Sequence, residues 1–302
     1  MWFWLSLAAL LCWSSSDLFS KIGCRGADDK LSHLKMVMAV GLVMGLHAAY
    51  EIFIGGTEIS GDIILAYLPV SALYIGSMTL GYLGLRYIEL SILSPICNAS
   101  GAIVVVLTLI TAGTGGLMPI QLLATALVCA GVIGLGIVEA REDEELRTAR
   151  QEAGNFRYAK SPLALALPLC YCLLDALGTF ADSKILETLS EDSANVAYEL
   201  TFFTVGLVCF IYVVLIRRDK LIPRREAPKY LAALFETGGQ FAYIYALADS
   251  RHVALSVPII SAYCVLSVVW GRLFLKERLS PKHYAMVALV AIGIVILGTF
   301  DL

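Results

Sequence analysis

Acidic side chains inside long apolar stretches are the features of this sequence that could carry chemistry. Asp17 follows Trp13 by four positions, and Asp175 follows Tyr171 by the same interval. In a helix this spacing places the ring and the carboxylate on one face, one turn apart. A carboxylate beside electron-rich rings suits an organic ammonium ion, which gains charge attraction and cation–π attraction of about 0.5–2 kcal/mol per ring. The recurrence of this pair therefore indicates a site for a cationic ligand.

Glu236 is a third acid in an apolar stretch, and Gln240 and Tyr243 fall on the same helical face. Because loss of water favours the protonated form of a carboxyl group, Asp175 and Glu236 are also the candidates for proton coupling. No Lys or Arg lies at comparable depth in the sequence to neutralise them. Unpaired carboxylates in a membrane usually mark a transport pathway, which favours a functional role for both.

Two other acids have structural alternatives. Asp17 lies nearer the end of its apolar stretch, where Lys21 or Lys35 could pair with it. Glu199 lies in the outer third of its stretch and could simply reach the outer interface. We keep Asp17 in the predicted site and place Glu199 outside it.

The composition indicates that lipid surrounds most of the chain. Hydrophobic residues make up 59% of the 302 residues and charged residues 16%, whereas soluble domains carry roughly 25% charged residues. Each of ten apolar segments is near the ~20 residues that a bilayer-spanning helix needs. The segments cover residues 2–22, 32–54, 63–85, 90–111, 118–138, 162–183, 195–216, 229–248, 253–274 and 282–300.

The basic residues divide unequally between the connections. Twenty Lys and Arg residues lie in or beside the odd-numbered connections, whereas the even-numbered ones have only Lys184 and Arg251. Positively charged loops stay in the cytoplasm, so both termini are predicted outside. Residues 139–161 then form a charged cytoplasmic linker between a first repeat, 1–138, and a second repeat, 162–302. Because each repeat has an odd number of spans, the two are inverted relative to each other.

Matching residues in the two halves indicate a duplicated chain. The matches keep their order and lie about 163–165 positions apart. A period this long describes two domain-sized halves and not a short-repeat array. The matches include Pro95 with Pro258, Asn98 with Ser261, and Val40–Val43 with Val205–Val208.

Prolines within the fourth and ninth segments mark a candidate pore lining. Pro95 and Pro258 free backbone carbonyls near mid-membrane, and Asn98 and Ser261 follow them by three positions. A single tyrosine in an apolar segment is ordinarily explained by packing, with its hydroxyl hydrogen-bonded to a neighbouring group. The prediction of a binding site therefore rests on the aromatic and acidic residues taken together. The predicted substrate-binding residues are Trp13, Asp17, Tyr74, Asn98, Tyr171, Asp175, Glu236, Gln240, Tyr243, Ser261 and Tyr263.

Ten spans in two five-helix halves resemble the drug/metabolite transporter superfamily, in its EamA-like branch. The specific residues are the mid-helix Pro258, the run from Lys276 to Ser280, and Gly293 and Gly298 in the last segment. The first half departs from the pattern, because Thr111–Gly116 stands where an acidic-basic pair is expected. The resemblance implies transport. Substrates in the family range over amino acids, sugars, nucleotides, vitamins, choline and drugs, so the cargo stays open.

We therefore predict an all-α polytopic membrane protein with ten transmembrane helices in two inverted five-helix repeats. The predicted function is secondary active transport of a small metabolite across the cytoplasmic (inner) membrane of a bacterium, by alternating access around a midplane site. An organic cation or an amine-bearing solute, such as choline or an amino acid, is the first choice of cargo. The alternative is an exporter of a neutral or anionic metabolite or drug. A membrane enzyme or receptor is more remote, because the sequence has no nucleophile–base cluster and no phosphate loop.

The expected partners are a cationic or zwitterionic small molecule, the lipid bilayer and protons. No cofactor and no metal are expected, since Cys170 and Cys172 lack metal-ligand spacing. The formal net charge of −3 gives no indication of a nucleic-acid partner. The sequence leaves open whether the protein is a monomer or a homodimer.

Overall fold

The computed structural model of the protein describes residues 1–25, 29–88, 90–113, 117–141, 162–276 and 279–300. Within these ranges the regular structure is helical throughout, which confirms the predicted all-α fold class. α2 and α8 each continue into a π-helical turn, at Glu51–Gly55 and Ile211–Ile216. The helices are α1 (Trp2–Cys24), α2 (Ser32–Tyr50), α3 (Gly61–Tyr87), α4 (Leu90–Asn98), α5 (Ser100–Ala112), α6 (Pro119–Ala140), α7 (Pro162–Ile185), α8 (Glu191–Phe210), α9 (Pro223–Leu247), α10 (Val253–Ser261), α11 (Tyr263–Phe274) and α12 (Pro281–Phe300).

These helices correspond to the ten predicted segments because two segments are broken in the middle. α4 and α5 meet at Ala99, and α10 and α11 meet at Ala262, in each case four residues after Pro95 or Pro258. Proline has no amide hydrogen, and its ring clashes with the carbonyl four residues earlier, so each segment is weakened in the turn that precedes its proline. We name these two segments the broken passes.

Membrane-spanning character is plain for most of the bundle. Among the described residues, six helical segments are long and apolar enough to cross a membrane: α2, α3, α6, α8 and the two broken passes. The outer surface is apolar, as lipid requires. Its exposed side chains include Leu11, Leu65, Ile110, Ile133, Leu173, Val208 and Val295.

The two halves of the chain interlock helix by helix. α1 packs along α9, α3 along α7, α2 along α8, α6 along α12, and one broken pass packs along the other. Exchanging each helix of the first half with its counterpart in the second half maps this list of pairs onto itself. The packing therefore has the pattern of a two-fold axis between the halves. Their orientation relative to the membrane stays a prediction.

Glycines on α2 and α8 show this reciprocity in detail. A Cβ added at Gly41 would lie 2.8 Å from the carbonyl oxygen of Phe202, and one at Gly206 would lie 3.3 Å from that of Val37. Gly41 and Gly206 are 165 positions apart in the sequence, and so are Val37 and Phe202. Gly41 therefore lies in close contact with α8, and its repeat mate Gly206 makes the same contact with α2.

α6 and α12 cross in the same reciprocal way. A Cβ at Gly131 would lie 3.1 Å from the carbonyl oxygen of Met286, and one at Gly293 would lie 2.8 Å from that of Ala124. Gly131 and Gly293 are 162 positions apart, and so are Ala124 and Met286. This match is not among those found from the sequence. Without a hydrophobic driving force between helices in lipid, close backbone approach at small residues stabilises such crossings.

Candidate functional site

A central cavity lies between the two halves and is lined by side chains of α1, α3, α4, α5 and α7 to α11. The empty space within it measures about 900 Å³, including the part open to the surroundings. The structure brings all the predicted substrate-binding residues onto its wall. These are Trp13, Asp17, Tyr74, Asn98, Tyr171, Asp175, Glu236, Gln240, Tyr243, Ser261 and Tyr263. That they bind a solute stays a prediction.

Asp17 is held by hydroxyl groups from two other helices. Ser94 on α4 donates to its Oδ2 at 2.6 Å, and Ser267 on α11 donates to the same oxygen at 2.8 Å. In the described part of the chain Asp17 has no ion pair. Lys21 donates instead to two backbone carbonyls at the end of α3, and Lys35 pairs with other acids. The ion-pair alternative for Asp17 is therefore wrong.

The other two cavity carboxylates, like Asp17, accept a hydrogen bond from a serine hydroxyl on another helix. Ser100 on α5 donates to Asp175 Oδ2 at 2.7 Å, and Ser16 on α1 donates to Glu236 Oε2 at 2.7 Å. The second oxygen of each carboxylate receives no hydrogen bond from the residues that the structure describes. Both side chains are only partly buried, so each carboxylate retains hydrogen-bonding capacity for a bound molecule.

Aromatic rings form a continuous wall beside these acids. The Trp13 ring centroid lies 5.0 Å from that of Tyr243 and 5.9 Å from that of Tyr263. Tyr74 meets Tyr243 through a hydrogen bond between their hydroxyl groups. Trp13 packs directly against α9, because a Cβ at Gly239 would lie 2.4 Å from its ring. The absence of a side chain at Gly239 therefore makes room for the tryptophan.

Polar groups complete the wall. Asn98 donates through Nδ2 to the Ser94 carbonyl at 2.8 Å, and Ser261 lies against Gly101 where the two broken passes meet. The Gln240 Nε2 and Trp13 Nε1 atoms are buried without a hydrogen-bond partner among the described residues. Buried polar groups are normally paired, so these two donors are available to water or a bound molecule.

The charge of the wall has one sign. Among the described residues that line the cavity there is no Lys, Arg or His, whereas Asp17, Asp175 and Glu236 are acidic. A cleft lined by one sign of charge with low-dielectric surroundings concentrates ions of the opposite sign. The geometry and the charge together suit a positively charged group flanked by rings.

A further acid close to the cavity, Asp182, was missed by the sequence analysis. It lies on α7 with an exposed fraction of 0%. Tyr67 donates to its Oδ1 at 2.7 Å and Tyr74 to its Oδ2 at 3.4 Å. Asp182 is not among the residues that line the cavity, but its partner Tyr74 is.

Charged residues also form a buried cluster at the end of the bundle that the basic bias places in the cytoplasm. Lys35 on α2 pairs with Asp29 at 3.0 Å and Asp219 at 3.3 Å, and Lys229 on α9 pairs with Glu226 at 2.9 Å. Lys229 also lies 3.5 Å from Asp29. The cluster ties the starts of α2 and α9 to the connections that precede them.

Glu199 differs from its expected place at the outer interface. Its exposed fraction is 0%, and its carboxylate lies 2.9 Å from Nδ1 of His47 on α2. Asn195 donates to it at 3.2 Å. Glu199 is therefore a cross-link between α2 and α8 and lies outside the cavity wall.

Comparison with known proteins agrees with this architecture. Residues 163–299 match the model of the EamA-like transporter family. A protein of known crystal structure superposes with a TM-score of 0.62 over 98% of this chain and 96% of its own, at 12% identity. At that identity the likeness shows the fold alone. No curated protein matches the chain in a sequence search.

The predicted resemblance to the drug/metabolite transporter superfamily is thus confirmed. The matched residues make up most of the second repeat, so this half of the chain is similar to the EamA-like proteins, a family of membrane transporters of small solutes.

Proposed function

We propose that this transporter carries an organic cation or an amine-bearing solute, such as choline or an amino acid, and binds it in the central cavity. The observation that carries the proposal is the cavity wall itself. It combines three carboxylates with a cluster of aromatic rings, and no basic side chain lies among its described residues. A wall with Lys or Arg would instead have supported an anionic cargo.

The free oxygens of the carboxylates give the ligand its anchoring points. Hydrogen bonds to charged groups contribute about 1.5–3 kcal/mol each when both partners are desolvated. The rings of Trp13, Tyr243 and Tyr263 add cation–π attraction, which does not require an N–H donor. The wall therefore suits primary amines and quaternary ammonium ions alike.

The reciprocal packing of the halves supports alternating access as the transport mechanism. Two halves related by a two-fold axis in the membrane plane can rock about a fixed central site and expose it to each side in turn. We place this site near the midplane of the bacterial cytoplasmic membrane, with both termini outside. The basic bias of the odd-numbered connections supports that orientation.

Proton coupling is part of the proposal. A proton and an ammonium ion would compete for the carboxylates of Asp175 and Glu236, since each neutralises the same charge. Protonation on one side of the membrane would then assist release of the cargo there.

The test is uptake by purified protein in proteoliposomes. Radiolabelled choline, ethanolamine and leucine are compared with a neutral sugar and a dicarboxylate, with and without an imposed pH gradient. We expect uptake of at least one amine and none of the sugar or dicarboxylate. Uptake of the sugar or the dicarboxylate alone would contradict the proposal and favour the neutral or anionic cargo.

A further inference from the structure

Asp182 occupies a site that substrate binding does not explain. It follows Asp175 by seven positions on α7, so the two lie on one face, two turns apart. Asp175 faces the cavity, whereas Asp182 is enclosed by protein, with an exposed fraction of 0%. Two acids on one helix therefore have different surroundings.

The described groups that surround Asp182 are neutral. The titratable side chains that face it from neighbouring helices are tyrosines: Tyr67 and Tyr74 on α3, Tyr198 on α8 and Tyr243 on α9. Neither α4 nor α5, which also pack on α7, contributes a described charged group to it. A buried carboxylate with only neutral donors is several kcal/mol less stable than in water, which favours a bound proton.

The basic residue nearest in sequence does not compensate for the charge. Lys184 is two positions further along α7, so it points to a different side of the helix. Its side chain is 47% exposed and pairs with Glu187 at 2.9 Å. Asp175, on the same face of α7, is itself acidic. Among the described residues, the surroundings of Asp182 thus provide hydrogen bonds and no positive charge.

Hydroxyl groups connect Asp182 to the cavity. The Tyr74 hydroxyl contacts Asp182 Oδ2, Thr179 Oγ1 at 3.2 Å and the Tyr243 hydroxyl. Tyr74, Thr179 and Tyr243 all line the cavity. A hydroxyl can accept a proton on its oxygen while it passes its own proton to the next acceptor, so a proton moves along the chain and each tyrosine ends unchanged.

We propose that Asp182 is a second proton-binding site, separate from the cavity carboxylates, which exchanges its proton with the cavity through Tyr74 and Tyr243. A cation that binds against Tyr243 adds a positive charge at one end of the chain and favours departure of the proton at the other. The protonated Asp182 carboxyl group donates its proton to the Tyr74 oxygen while Tyr74 passes its own proton to Tyr243, and Tyr243 passes its own to water in the cavity. The Asp182 carboxylate remains and accepts the hydrogen bond from Tyr74 that the structure shows. This coupling rests on the proposed function, whereas the proton site does not.

The first experiment needs no ligand. Infrared spectra of wild type and Asp182→Asn at neutral pH are compared, with Glu199→Gln as a control buried carboxylate outside the cavity. We expect a carbonyl band of a protonated carboxyl group that is lost in Asp182→Asn and retained in Glu199→Gln. An unchanged band in a folded Asp182→Asn protein would overturn the proton site. If Asp182→Asn does not fold, Tyr74→Phe is measured instead, because it keeps the carboxyl group. Its carbonyl band must respond more slowly to a pH jump than the band of wild type. An unaltered response would overturn the path.

The second experiment tests the coupling. Choline, ethanolamine and leucine are added to purified protein in weak buffer with a pH indicator, and thermal stability is followed in parallel. Wild type should release a proton with the probe that stabilises it, and Tyr74→Phe should release it more slowly. Binding without change in the Asp182 band would overturn the coupling. If no probe raises the melting temperature, the proposed function fails, while the infrared band still decides the proton site.

Discussion

Serine hydroxyl groups determine how the cavity carboxylates are arranged. Each of the three acids accepts from a serine on a different helix, as with Ser100 and Asp175 or Ser16 and Glu236. One oxygen is thereby fixed and the other is left for a ligand. Neutral donors hold the acid in place without cancelling its charge, so the site keeps its attraction for cations.

Trp13→Ala should weaken binding of the cationic ligand by about 2- to 30-fold, the equivalent of one cation–π contact of about 0.5–2 kcal/mol. The ring contacts both Tyr243 and Tyr263, so its loss also opens the wall between them. Trp13→Phe, which retains a ring, should lose less. The measurement is the dissociation constant of the amine found by the uptake screen.

Trp4→Ala is the matched control for this prediction. Trp4 lies on the same helix, but its side chain is 61% exposed on the apolar surface. Its replacement should leave the affinity unchanged. Equal losses for Trp13→Ala and Trp4→Ala would show that the effect comes from general weakening of α1.

Spacing on single helices was enough to predict the cavity wall, but not its surroundings. A four-residue interval predicts that two residues share a helix face, as for Trp13 with Asp17 and Glu236 with Gln240. A serine such as Ser94 carries no such signal, because its partner Asp17 lies on another helix. Asp182 was missed for a related reason, since a lysine two positions later suggests a paired charge at a helix end.

At the scale of the helix, the two broken passes are the elements that differ most from simple spans. The sequence predicted freed carbonyls at Pro95 and Pro258. The structure places the actual breaks at Ala99 and Ala262, directly after Asn98 and Ser261. The turn after each proline remains helical, and each break lies one turn beyond its proline, where the two broken passes meet.

Gly41→Ala should destabilise the protein, although alanine is the better helix former by about 1 kcal/mol. The added methyl group would lie 2.8 Å from the Phe202 carbonyl and 3.0 Å from Gly206 Cα. Backbone atoms cannot move aside cheaply, and overpacking of this kind costs about 1–3 kcal/mol. Thermal unfolding in detergent should therefore show a melting temperature lowered by a few degrees.

Gly76→Ala provides the comparison, because an added Cβ there meets only Leu174 at 3.7 Å, an ordinary contact. Its melting temperature should be unchanged or raised. If both variants behave alike, the α2–α8 crossing does not depend on close backbone approach.

The sequence offsets indicate that the chain is duplicated, and the reciprocal contacts show how the two halves of the molecule pack on each other. The sequence matched Gly41 with Gly206 but missed Gly131 and Gly293, whose neighbours are also exchanged between halves. The offset changes from 162 to 165 along the chain because connections differ in length, and this drift hides the shorter matches. The packing reveals these hidden matches, because each contact in one half has an equivalent contact between the corresponding residues of the other half.

The predicted topology, with both termini outside, is tested by cysteine labelling in intact cells. Arg150→Cys lies in the linker and should resist an impermeant thiol reagent, while Glu58→Cys, in the connection after α2, should react. Labelling of wild type gives the background from its eight native cysteines. Rapid labelling at position 150 with protection at position 58 would reverse the orientation.

Binding of the cationic cargo by the cavity carboxylates can be measured by isothermal titration of the transported amine. Glu236→Gln and Asp175→Asn each remove one charge from the wall, whereas Glu199→Gln removes a buried charge that pairs with His47 outside it. We expect the affinity to be lowered by about 10- to 150-fold in the two cavity variants, which corresponds to the loss of one charged hydrogen bond of about 1.5–3 kcal/mol. Glu199→Gln should retain wild-type affinity. Wild-type affinity in both Glu236→Gln and Asp175→Asn would contradict binding of the cargo by the cavity carboxylates.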